Sequence, residues 1–494
     1  MPLFGEYERT SETVLNAYVM PLVGRYLNKL QSELLRIGVS APLYIMQSSG
    51  GMTTPENSMR RPIEIIECGP AAGVVGAAKL ARVQATNDLI TFDMGGTTAK
   101  ASIVERGQFS RAAEYEVGGG INRASRLLKG AGYVVRVSST DVAEIGAGGG
   151  SLLKIAGAHP GPVCYNQGGV NATITDADVV LGYINPVHLC GGDYPLAPDQ
   201  SRAALLRQIA QPMGGDELEA AYGAYQLANA QMMRAIRAVS SERGRDPRAF
   251  TLYAFGGAGP VHAAGVAAGL GMRSIIIPPM PGVFSAYGLL AGDLERHYTR
   301  SFSRLWTQSA IDDLNTLLAQ LLNEAIATMH LWAGSAVQPD GGPSLTRWLD
   351  MQYSGQGSSL SIPLRTAQLH LADVADLAGA FEDEHERTYG HRLRGQAIRA
   401  TALRMSASVA ASVDVGSSSF AETPLELATG SRLAYWGPRH GALATPVHDL
   451  RHLTHTLQGP ALIDCYDTTI VVPPNASIAR DAFGGARIAL SEGT

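Results

Sequence analysis

The sequence lacks the features that would mark a secreted, membrane-spanning or nucleic-acid-binding protein. It has only four cysteines and no CxxC pair, so we expect reduced, buried thiols at Cys68, Cys164, Cys190 and Cys465. No apolar run reaches about 18 residues, and no basic segment followed by an apolar one opens the chain, so neither a membrane span nor a signal peptide is predicted. The net charge of −5 gives no basic footprint for nucleic acid. Together these absences favour a cytoplasmic protein.

Glycine, in contrast, is abundant and clustered, with 56 residues in a chain of 494. The 45% hydrophobic and 17% charged residues are typical of a compact globular protein, and the length suits about two to four domains. Clustered glycine allows the backbone to approach a ligand, a turn or another segment closely. The glycine-rich loops are therefore the first places to look for a site.

The clearest of these loops is the stretch 93–100, Asp-Met-Gly-Gly-Thr-Thr-Ala-Lys, which lies between two apolar runs. This order predicts a β-hairpin whose turn wraps around a phosphate. The glycine pair lets N–H groups converge and φ become positive, and the threonines add hydroxyl donors. Asp93 at the strand end is predicted to hold a magnesium ion or an activated water. It is not a Walker loop, and taken alone the stretch also fits an ordinary tight turn.

Two further glycine loops follow. Residues 256–260, Gly-Gly-Ala-Gly-Pro, join a predicted strand at 251–255 to a predicted helix at 261–269, where a nucleotide can dock on the backbone and the helix N-terminus. Residues 146–150 contain four glycines and cannot form the interior of a helix or strand. Asp141 and Glu144 carry the charges at the entrance to that loop.

The coarse pattern of the chain predicts an α/β protein in three consecutive domains. The pattern changes near residue 300, and a polar, serine-rich linker is predicted at 416–430. We expect a glycine-rich α/β domain at 1–298, an α+β domain at 299–415 and a small β-rich module at 416–494. Long helices are predicted at 11–37 and 216–243, and a short one at 177–181 with Thr175 or Asp176 as its N-cap.

The motifs, in order, resemble those of the hydantoinase A, 5-oxoprolinase and acetone carboxylase β-subunit family. Each motif alone is weak, but the series is collinear over nearly the whole chain. The stretches that carry the resemblance are 7–10, 16–18, 45–51, 69–73, 92–98, 146–151, 160–162, 255–260, 355–357, 389–390 and 472–474.

The resemblance implies an actin-like, ribonuclease-H-type lobe of the sugar kinase and heat-shock ATPase superfamily, with helical insertions and a C-terminal α+β or β-rich part. In such folds two lobes clasp one ATP. The stretch 93–98 is similar to the second phosphate hairpin, and 255–260 to the adenosine loop. The implied cofactors are ATP and Mg²⁺ or Mn²⁺, with Asp93 as metal ligand and Asp93, Asp141 and Glu144 as catalytic candidates. The implied nucleotide-binding residues are Gly95, Gly96, Thr97, Thr98, Lys100, Gly256, Gly257 and Gly259.

Members of the family phosphorylate an amide or carbonyl oxygen with ATP, because that oxygen is otherwise a poor leaving group. The resemblance therefore implies an ATP-dependent hydrolase that opens a cyclic amide of the hydantoin, N-methylhydantoin or 5-oxoproline type through a phosphorylated carbonyl intermediate. Two alternatives stay open. One is an ATP-dependent ketone carboxylase subunit, and the other is a non-catalytic, truncated scaffold.

The sequence departs from the family pattern in two ways. Full-length members begin with a further lobe that carries its own Asp-x-Gly-Gly-Thr hairpin, so the resemblance implies a separate chain that supplies it, beside a hydantoinase B-like subunit. Many members also have an Asp-Ile-His before the Gly-Ala-Gly-Gly-Gly loop and a second acidic residue after the hairpin threonines. Here Lys100 either contacts a phosphate or faces solvent from a strand. Glu144 either lies near the reacting centre or binds nearby backbone N–H groups.

Overall fold

The computed structural model describes residues 6–112, 115–117, 121–122, 133–135, 137–151, 160–333, 343–410 and 430–491. The α-helices are α1 Glu6–Arg36, α2 Pro55–Arg60, α3 Cys68–Val83, α4 Ile174–Val180, α5 Pro198–Leu205, α6 Gln211–Met213, α7 Glu217–Val239, α8 Gly259–Leu270, α9 Phe284–Leu290, α10 Ala310–Ala333 and α11 Asp373–Tyr389. Within these described ranges, no helix is both long enough and apolar enough to cross a bilayer.

The β-strands are short in most of the chain and long between residues 294 and 409. They are β1 Ile45–Met46, β2 Met52–Thr53, β3 Leu89–Met94, β4 Ala99–Glu105, β5 Gln108–Phe109, β6 Arg111–Ala112, β7 Tyr115–Val117, β8 Ile121–Asn122, β9 Tyr133–Val135, β10 Ser139–Thr140, β11 Ala143–Ile145, β12 His188–Leu189, β13 Tyr194–Pro195, β14 Thr251–Phe255, β15 Ser274–Ile277, β16 Leu294–Leu305, β17 Ser344–Tyr353, β18 Leu360–Leu364, β19 Ile398–Val409, β20 Gly430–Tyr435, β21 Ala442–Asp449, β22 Leu457–Gln458, β23 Ala461–Asp464, β24 Thr469–Val472, β25 Ala476–Arg480 and β26 Ala486–Leu490.

One compact unit comprises residues 1–68, 133–138 and 292–412. Its six-stranded sheet has the order β1-β2-β16-β19-β17-β18. The long strands β16, β19 and β17 are antiparallel neighbours, whereas β2 joins the edge parallel to β16 through Met52 and Leu294. Leu314 of α10 and Phe381 of α11 are fully buried in the same hydrophobic core as Leu349 of the sheet, so the helices cover its apolar face.

The other compact unit comprises residues 69–132, 139–291 and 413–494. Its large sheet has the order β22-β25-β26-β15-β14-β3-β4-β11-β8, with β5 beside β4. At the centre, β3, β4 and β11 are successive antiparallel neighbours, while β14 lies parallel to β3 and β15 parallel to β14. Strands β3 and β14 are almost entirely buried, as expected for strands covered on both faces.

The two spatial units differ from the three consecutive domains predicted at 1–298, 299–415 and 416–494. The first segment contributes β1 and β2 to the sheet that also contains β16 to β19. At the other end of the chain, β26 pairs antiparallel with β15 and extends the sheet that contains β3. Strand pairing thus joins segments that are distant in sequence, which a scan for changes in composition cannot detect. Residues 416–429 of the predicted linker lie outside the described residues.

Local predictions are mostly confirmed. The predicted helices at 11–37 and 216–243 are α1 and α7, and the strand predicted at 251–255 has those bounds. The predicted N-cap of the short helix is wrong, because α4 begins at Ile174 and its N-cap is Thr173. The Thr173 hydroxyl accepts a hydrogen bond from the Asp176 N–H, and the Asp176 carboxylate accepts one from the Thr173 N–H, which is a capping box.

The cysteines match their prediction in part. All four are free thiols, as expected. Cys164 is buried, Cys68 and Cys465 are half-buried, and Cys190 is exposed, so the expectation that all four are buried is wrong. Cys190 lies in a turn with a positive φ of 50°, and turns lie at the protein surface.

Candidate functional site

The stretch 93–98 forms the predicted hairpin between β3 and β4. Asp93 is paired directly with Lys100 across the two strands. The Gly95 N–H donates a 3.2 Å hydrogen bond to the Thr98 carbonyl and closes the turn. Gly96 and Thr97 are exposed at its tip. The Gly95 N–H is used within the turn, whereas Gly96 and Thr97 are open to a ligand.

The reason for the glycine pair differs from the one predicted. Neither Gly95 nor Gly96 has a positive φ, so the expectation that the turn needs left-handed backbone there is wrong. Among the described residues, a Cβ atom added at either position would have no neighbouring atom within 4 Å. Neither the turn geometry nor packing within the described residues requires glycine at these two positions. Close approach of a ligand to the backbone is the remaining physical reason.

The second glycine loop, residues 146–151, lies against this hairpin. Gly149 N–H donates to Gly95 O at 3.0 Å, and Gly150 N–H donates to Gly96 O at 2.6 Å. A Cβ on Gly148 would lie 2.5 Å from Thr97 N, which is far inside van der Waals contact. The glycines of this loop thus allow two backbones to pack together, and the loop is ordered by the hairpin.

The third glycine loop, residues 256–259, reaches the end of β3 from β14. Gly256 has a φ of +83°, and a Cβ there would lie 2.4 Å from Met94 O and 2.6 Å from an Asp93 carboxylate oxygen. Ala258 N–H donates to Met94 O at 3.0 Å. Helix α8 begins at Gly259. Three loops that are far apart in sequence therefore meet around Asp93.

Three charged residues form one row across neighbouring strands. Lys100 on β4 is paired directly with Asp93 on β3 and with Glu144 on β11. Its Nζ lies 3.1 Å from Glu144 Oε1 and donates to Thr98 Oγ1 at 2.6 Å. Its side chain is only 19% exposed, so Lys100 is held beside the hairpin and does not extend freely into solvent. Glu144 lies within a strand, and the structure places it beside a cation.

The Asp93 carboxyl group has an unusual electrostatic environment. Burial has the largest effect and raises the pKa of Asp93 to about 6. The positive charge of Lys100 lowers this pKa, and the negative charge of Glu144 raises it by a smaller amount. None of these causes is a hydrogen bond to the carboxylate. A small cavity beside it is lined by Thr91, Lys100 and Phe255 among others. Among the described residues, no N–H or O–H group donates to this carboxylate. Such a desolvated carboxylate fits a divalent cation, which would restore the favourable charge interaction.

Asp93 would hold such a cation with at most a few other side chains of this chain. Across the described ranges, no group of three or more His, Cys, Asp or Glu residues could form a metal cage. Mg²⁺ commonly binds through one or two carboxylates and completes its shell with water and substrate phosphates. The residues present therefore fit a metal that arrives with a nucleotide.

Asp141, in contrast, has a partner of its own. Arg243 Nη2 donates to Asp141 Oδ1 at 3.0 Å, and Arg243 Nη1 contacts Oδ2. The Asp141 carbonyl accepts a 2.7 Å bond from the Ser102 hydroxyl. The carboxylate is 8% exposed. This bidentate pair joins the β11 segment to the end of α7, and it gives Asp141 a structural role that the sequence alone did not predict.

A fourth segment at this site was missed by the sequence analysis. The turn between β23 and β24 places Thr468 Oγ1 2.7 Å from the Gly257 carbonyl, to which it donates. The Gly282 N–H donates to Asp467 Oδ2 at 2.6 Å. Asp467 and Gly257 are about 200 residues apart along the chain, and no local pattern of residue types could have indicated that they meet.

Comparison with known proteins identifies the family of this chain. Residues 9–298 match the profile of the hydantoinase/oxoprolinase family, and residues 309–484 match that of the hydantoinase/oxoprolinase C-terminal domain. The chain belongs to the hydantoinase/oxoprolinase family. The predicted resemblance is therefore confirmed.

Among its relatives is an uncharacterized protein of Methanocaldococcus jannaschii, 35% identical over 99% of this chain and 71% of the relative. Caprolactamase subunit alpha of Pseudomonas jessenii is 29% identical over 97% of this chain and 69% of the relative. This chain thus spans about two thirds or slightly more of these two proteins.

Two solved structures are similar over nearly the whole chain. The ATP-dependent caprolactamase of Pseudomonas jessenii superposes with a TM-score of 0.81 at 28% identity, over all of this chain and 72% of that chain. A nucleotide-free acetone carboxylase structure superposes with a TM-score of 0.75 at 26% identity, over 99% of this chain and 70% of that chain. The α/β fold with mixed sheets is shared with both.

Proposed function

We propose that this chain is the ATP-binding part of an ATP-dependent hydrolase that opens a cyclic amide through a phosphorylated carbonyl intermediate. The observation that carries the proposal is the convergence of three glycine loops on Asp93, with Gly95 and Gly96 open to a ligand. The similarity to ATP-dependent caprolactamase, whose name describes the opening of a lactam, supports the reaction class.

The sheet around β3 is, in this proposal, the actin-like lobe of the enzyme. Its antiparallel β3-β4-β11 centre is continued by the parallel strands β14 and β15. The carboxyl ends of β3 and β14 lie at one edge, where α/β sheets bind ligands. The hairpin 93–98 binds phosphates there, and Gly256, Gly257 and Gly259 approach the nucleoside.

Each group of residues at the site has its own role in the proposed reaction. Turn N–H groups and the Thr97 and Thr98 hydroxyls bind the phosphate oxygens, and Lys100 adds a positive charge beside them. Asp93 would hold Mg²⁺ or Mn²⁺, which neutralises phosphate charge when bound. Transfer of the terminal phosphoryl group to the amide oxygen makes that oxygen a leaving group. Water then adds to the carbonyl carbon, and the ring C–N bond breaks as the nitrogen takes up a proton, which leaves an acyl phosphate. A second water hydrolyses the acyl phosphate to the carboxylate and inorganic phosphate.

The catalytic unit is proposed to be a hetero-oligomer. Caprolactamase subunit alpha is named as one subunit of its enzyme, which supports a partner for this chain. We propose a hydantoinase B-like subunit as that partner.

ATP cleavage by the purified complex tests the proposal. ADP release should be stimulated by hydantoin, 5-oxoproline or a lactam, with stoichiometric ring opening, and the Gly96→Ala variant should need about tenfold more ATP for both. If no cyclic amide stimulates cleavage and Mg-ATP at millimolar concentration gives no binding heat, the proposal is wrong. The chain would then be a non-catalytic scaffold.

A second candidate is an ATP-dependent ketone carboxylase, because the chain also superposes on acetone carboxylase with a TM-score of 0.75. In that reaction bicarbonate, and not water, would complete the sequence. Stimulation of ATP cleavage by a ketone with bicarbonate, without any response to cyclic amides, would favour this second function.

A further inference from the structure

The turn between β23 and β24 is bound to two loops at the ligand-binding edge of the large sheet. Thr468 Oγ1 donates to the Gly257 carbonyl in the loop after β14, and Asp467 accepts from the Gly282 N–H in the loop after β15. Because β14 and β15 are parallel, both loops leave the same edge of the sheet. A segment from the C-terminal part of the chain therefore lies where α/β proteins bind ligands.

The glycine loop at residues 256–259 has two ends with different neighbours. Gly256 lies against Met94 and Asp93, at the phosphate hairpin. Gly257 is exposed, and a Cβ there would lie 3.8 Å from the Asp467 carbonyl oxygen. A nucleotide with its phosphates at the hairpin and its ribose across the glycine loop would therefore bring its base toward the β23–β24 turn.

Tyr466 is the residue of this turn with a large exposed surface. Its side chain is 45% exposed although it is aromatic. Its hydroxyl donates to Asp193 Oδ2 at 3.5 Å, a contact that restrains the ring. Asp193 follows three successive residues with positive φ, 190–192, so this neighbouring turn has an uncommon backbone conformation that holds the carboxylate beside the ring.

Aromatic rings stack well on purine and pyrimidine bases, since both faces are flat, polarizable and apolar. We propose that the β23–β24 turn forms the base end of the nucleotide site, with Tyr466 as the stacking surface for the base of ATP. Thr468 and Asp467 position the turn through their bonds to the two loops. This inference rests on the proposed ATP site and adds a residue that determines nucleotide affinity and selectivity.

Two probes separate the base end from the phosphate end. Binding of Mg-ADP and of Mg-tripolyphosphate to the full chain is measured by isothermal titration calorimetry. Tyr466→Ala should weaken Mg-ADP binding about tenfold and leave tripolyphosphate binding unchanged, because base stacking is worth about 1.4 kcal/mol or more. Tyr466→Phe, which keeps the ring, should retain near wild-type affinity for both probes.

Leu227→Ala, which truncates another large exposed side chain in the same compact unit, is the matched control and should bind both probes as the wild type does. Wild-type affinity of Tyr466→Ala for Mg-ADP overturns the inference and leaves the proposed function standing. Equal loss of both probes also overturns it, since the turn would then act on the phosphate hairpin. A wild-type chain that binds neither probe overturns this inference and the proposed ATP site together.

Discussion

Lys100 lies directly opposite Asp93 in the β3–β4 ladder and places its Nζ 3.1 Å from Glu144 Oε1. One cation thus stands between two carboxylates on three adjacent strands. Lys100 lowers the pKa of Asp93 and Glu144 raises it, while burial is the largest effect and raises it to about 6. Burial therefore dominates the charge on Asp93 near neutral pH, and two neighbours that can be changed separately adjust it.

The first prediction concerns the pH dependence of Mg-ATP binding. Because a carboxylate must be ionised to hold a cation, affinity should fall as the pH decreases through about 6, the pKa of Asp93. Glu144→Gln removes a charge that raises this pKa, so the midpoint should move to lower pH. Lys100→Met removes a charge that lowers it, so the midpoint should move to higher pH. Titration calorimetry from pH 5 to 8 measures all three midpoints.

Lys100→Arg is the control for that series, because it keeps the positive charge and should leave the midpoint near its wild-type position. Midpoints that shift in the same direction for Glu144→Gln and Lys100→Met would contradict the assignment of the titration to Asp93.

The second prediction is that Asp93→Asn stabilises the chain in the absence of ligand. The folded-state pKa is raised from 3.8 to about 6, so the folded state loses stability relative to the unfolded state as the pH rises from about 4 to about 6. Above that range the asparagine variant should exceed the wild type by on the order of 3 kcal/mol in free energy of unfolding. Below about pH 4 the difference should vanish.

Urea denaturation at pH 4 and pH 8 measures this difference. Asp199→Asn in the first turn of α5, where the aspartate is exposed, controls for the loss of a negative charge and should not reproduce the effect. A wild type that is more stable than Asp93→Asn at pH 8 would show that the carboxylate has a stabilising partner.

How far the sequence predicts this site depends on the kind of contact. The hairpin at Asp93 and the strand before Gly256 follow from local patterns, since turn and strand preferences act over a few residues. Other contacts at the site join segments that are distant in the chain. They are the packing of Gly148 on Thr97, the Asp141–Arg243 pair and the turn at Asp467. No periodicity encodes such pairings, which is also why the predicted domain boundaries differ from the spatial units.

The third prediction tests whether the turn at Gly96 binds a ligand or is an ordinary turn. Gly96→Ala adds a Cβ that has no atom within 4 Å and no positive φ to oppose it, so the melting temperature should stay within the error of the wild type. The dissociation constant for Mg-ATP should rise about tenfold, because the new methyl group occupies the space of the approaching phosphate. An unchanged affinity would instead indicate that no ligand approaches the backbone at Gly96.

The fourth prediction concerns the packing of the second glycine loop. Gly148→Ala would place its Cβ 2.5 Å from Thr97 N and 2.6 Å from Gly96 C, both backbone atoms that cannot rotate away. We expect a loss of on the order of 2 kcal/mol in free energy of unfolding, together with weaker Mg-ATP binding, as the hairpin is displaced. Gly146→Ala, two residues earlier and without a neighbour within 4 Å, should change neither quantity by a measurable amount.

The last prediction tests whether Asp141 acts in catalysis or in structure. Its two carboxylate oxygens are engaged by Arg243 in a largely buried pair, and removal of one partner leaves the other charge poorly compensated. Asp141→Asn should therefore cost about 2 kcal/mol in free energy of unfolding, and the double variant Asp141→Asn/Arg243→Met should recover part of that loss. The turnover of ATP by folded Asp141→Asn at low temperature should remain close to that of the wild type. A large fall in turnover with unchanged stability would instead return Asp141 to the reacting centre, where the family resemblance first placed it.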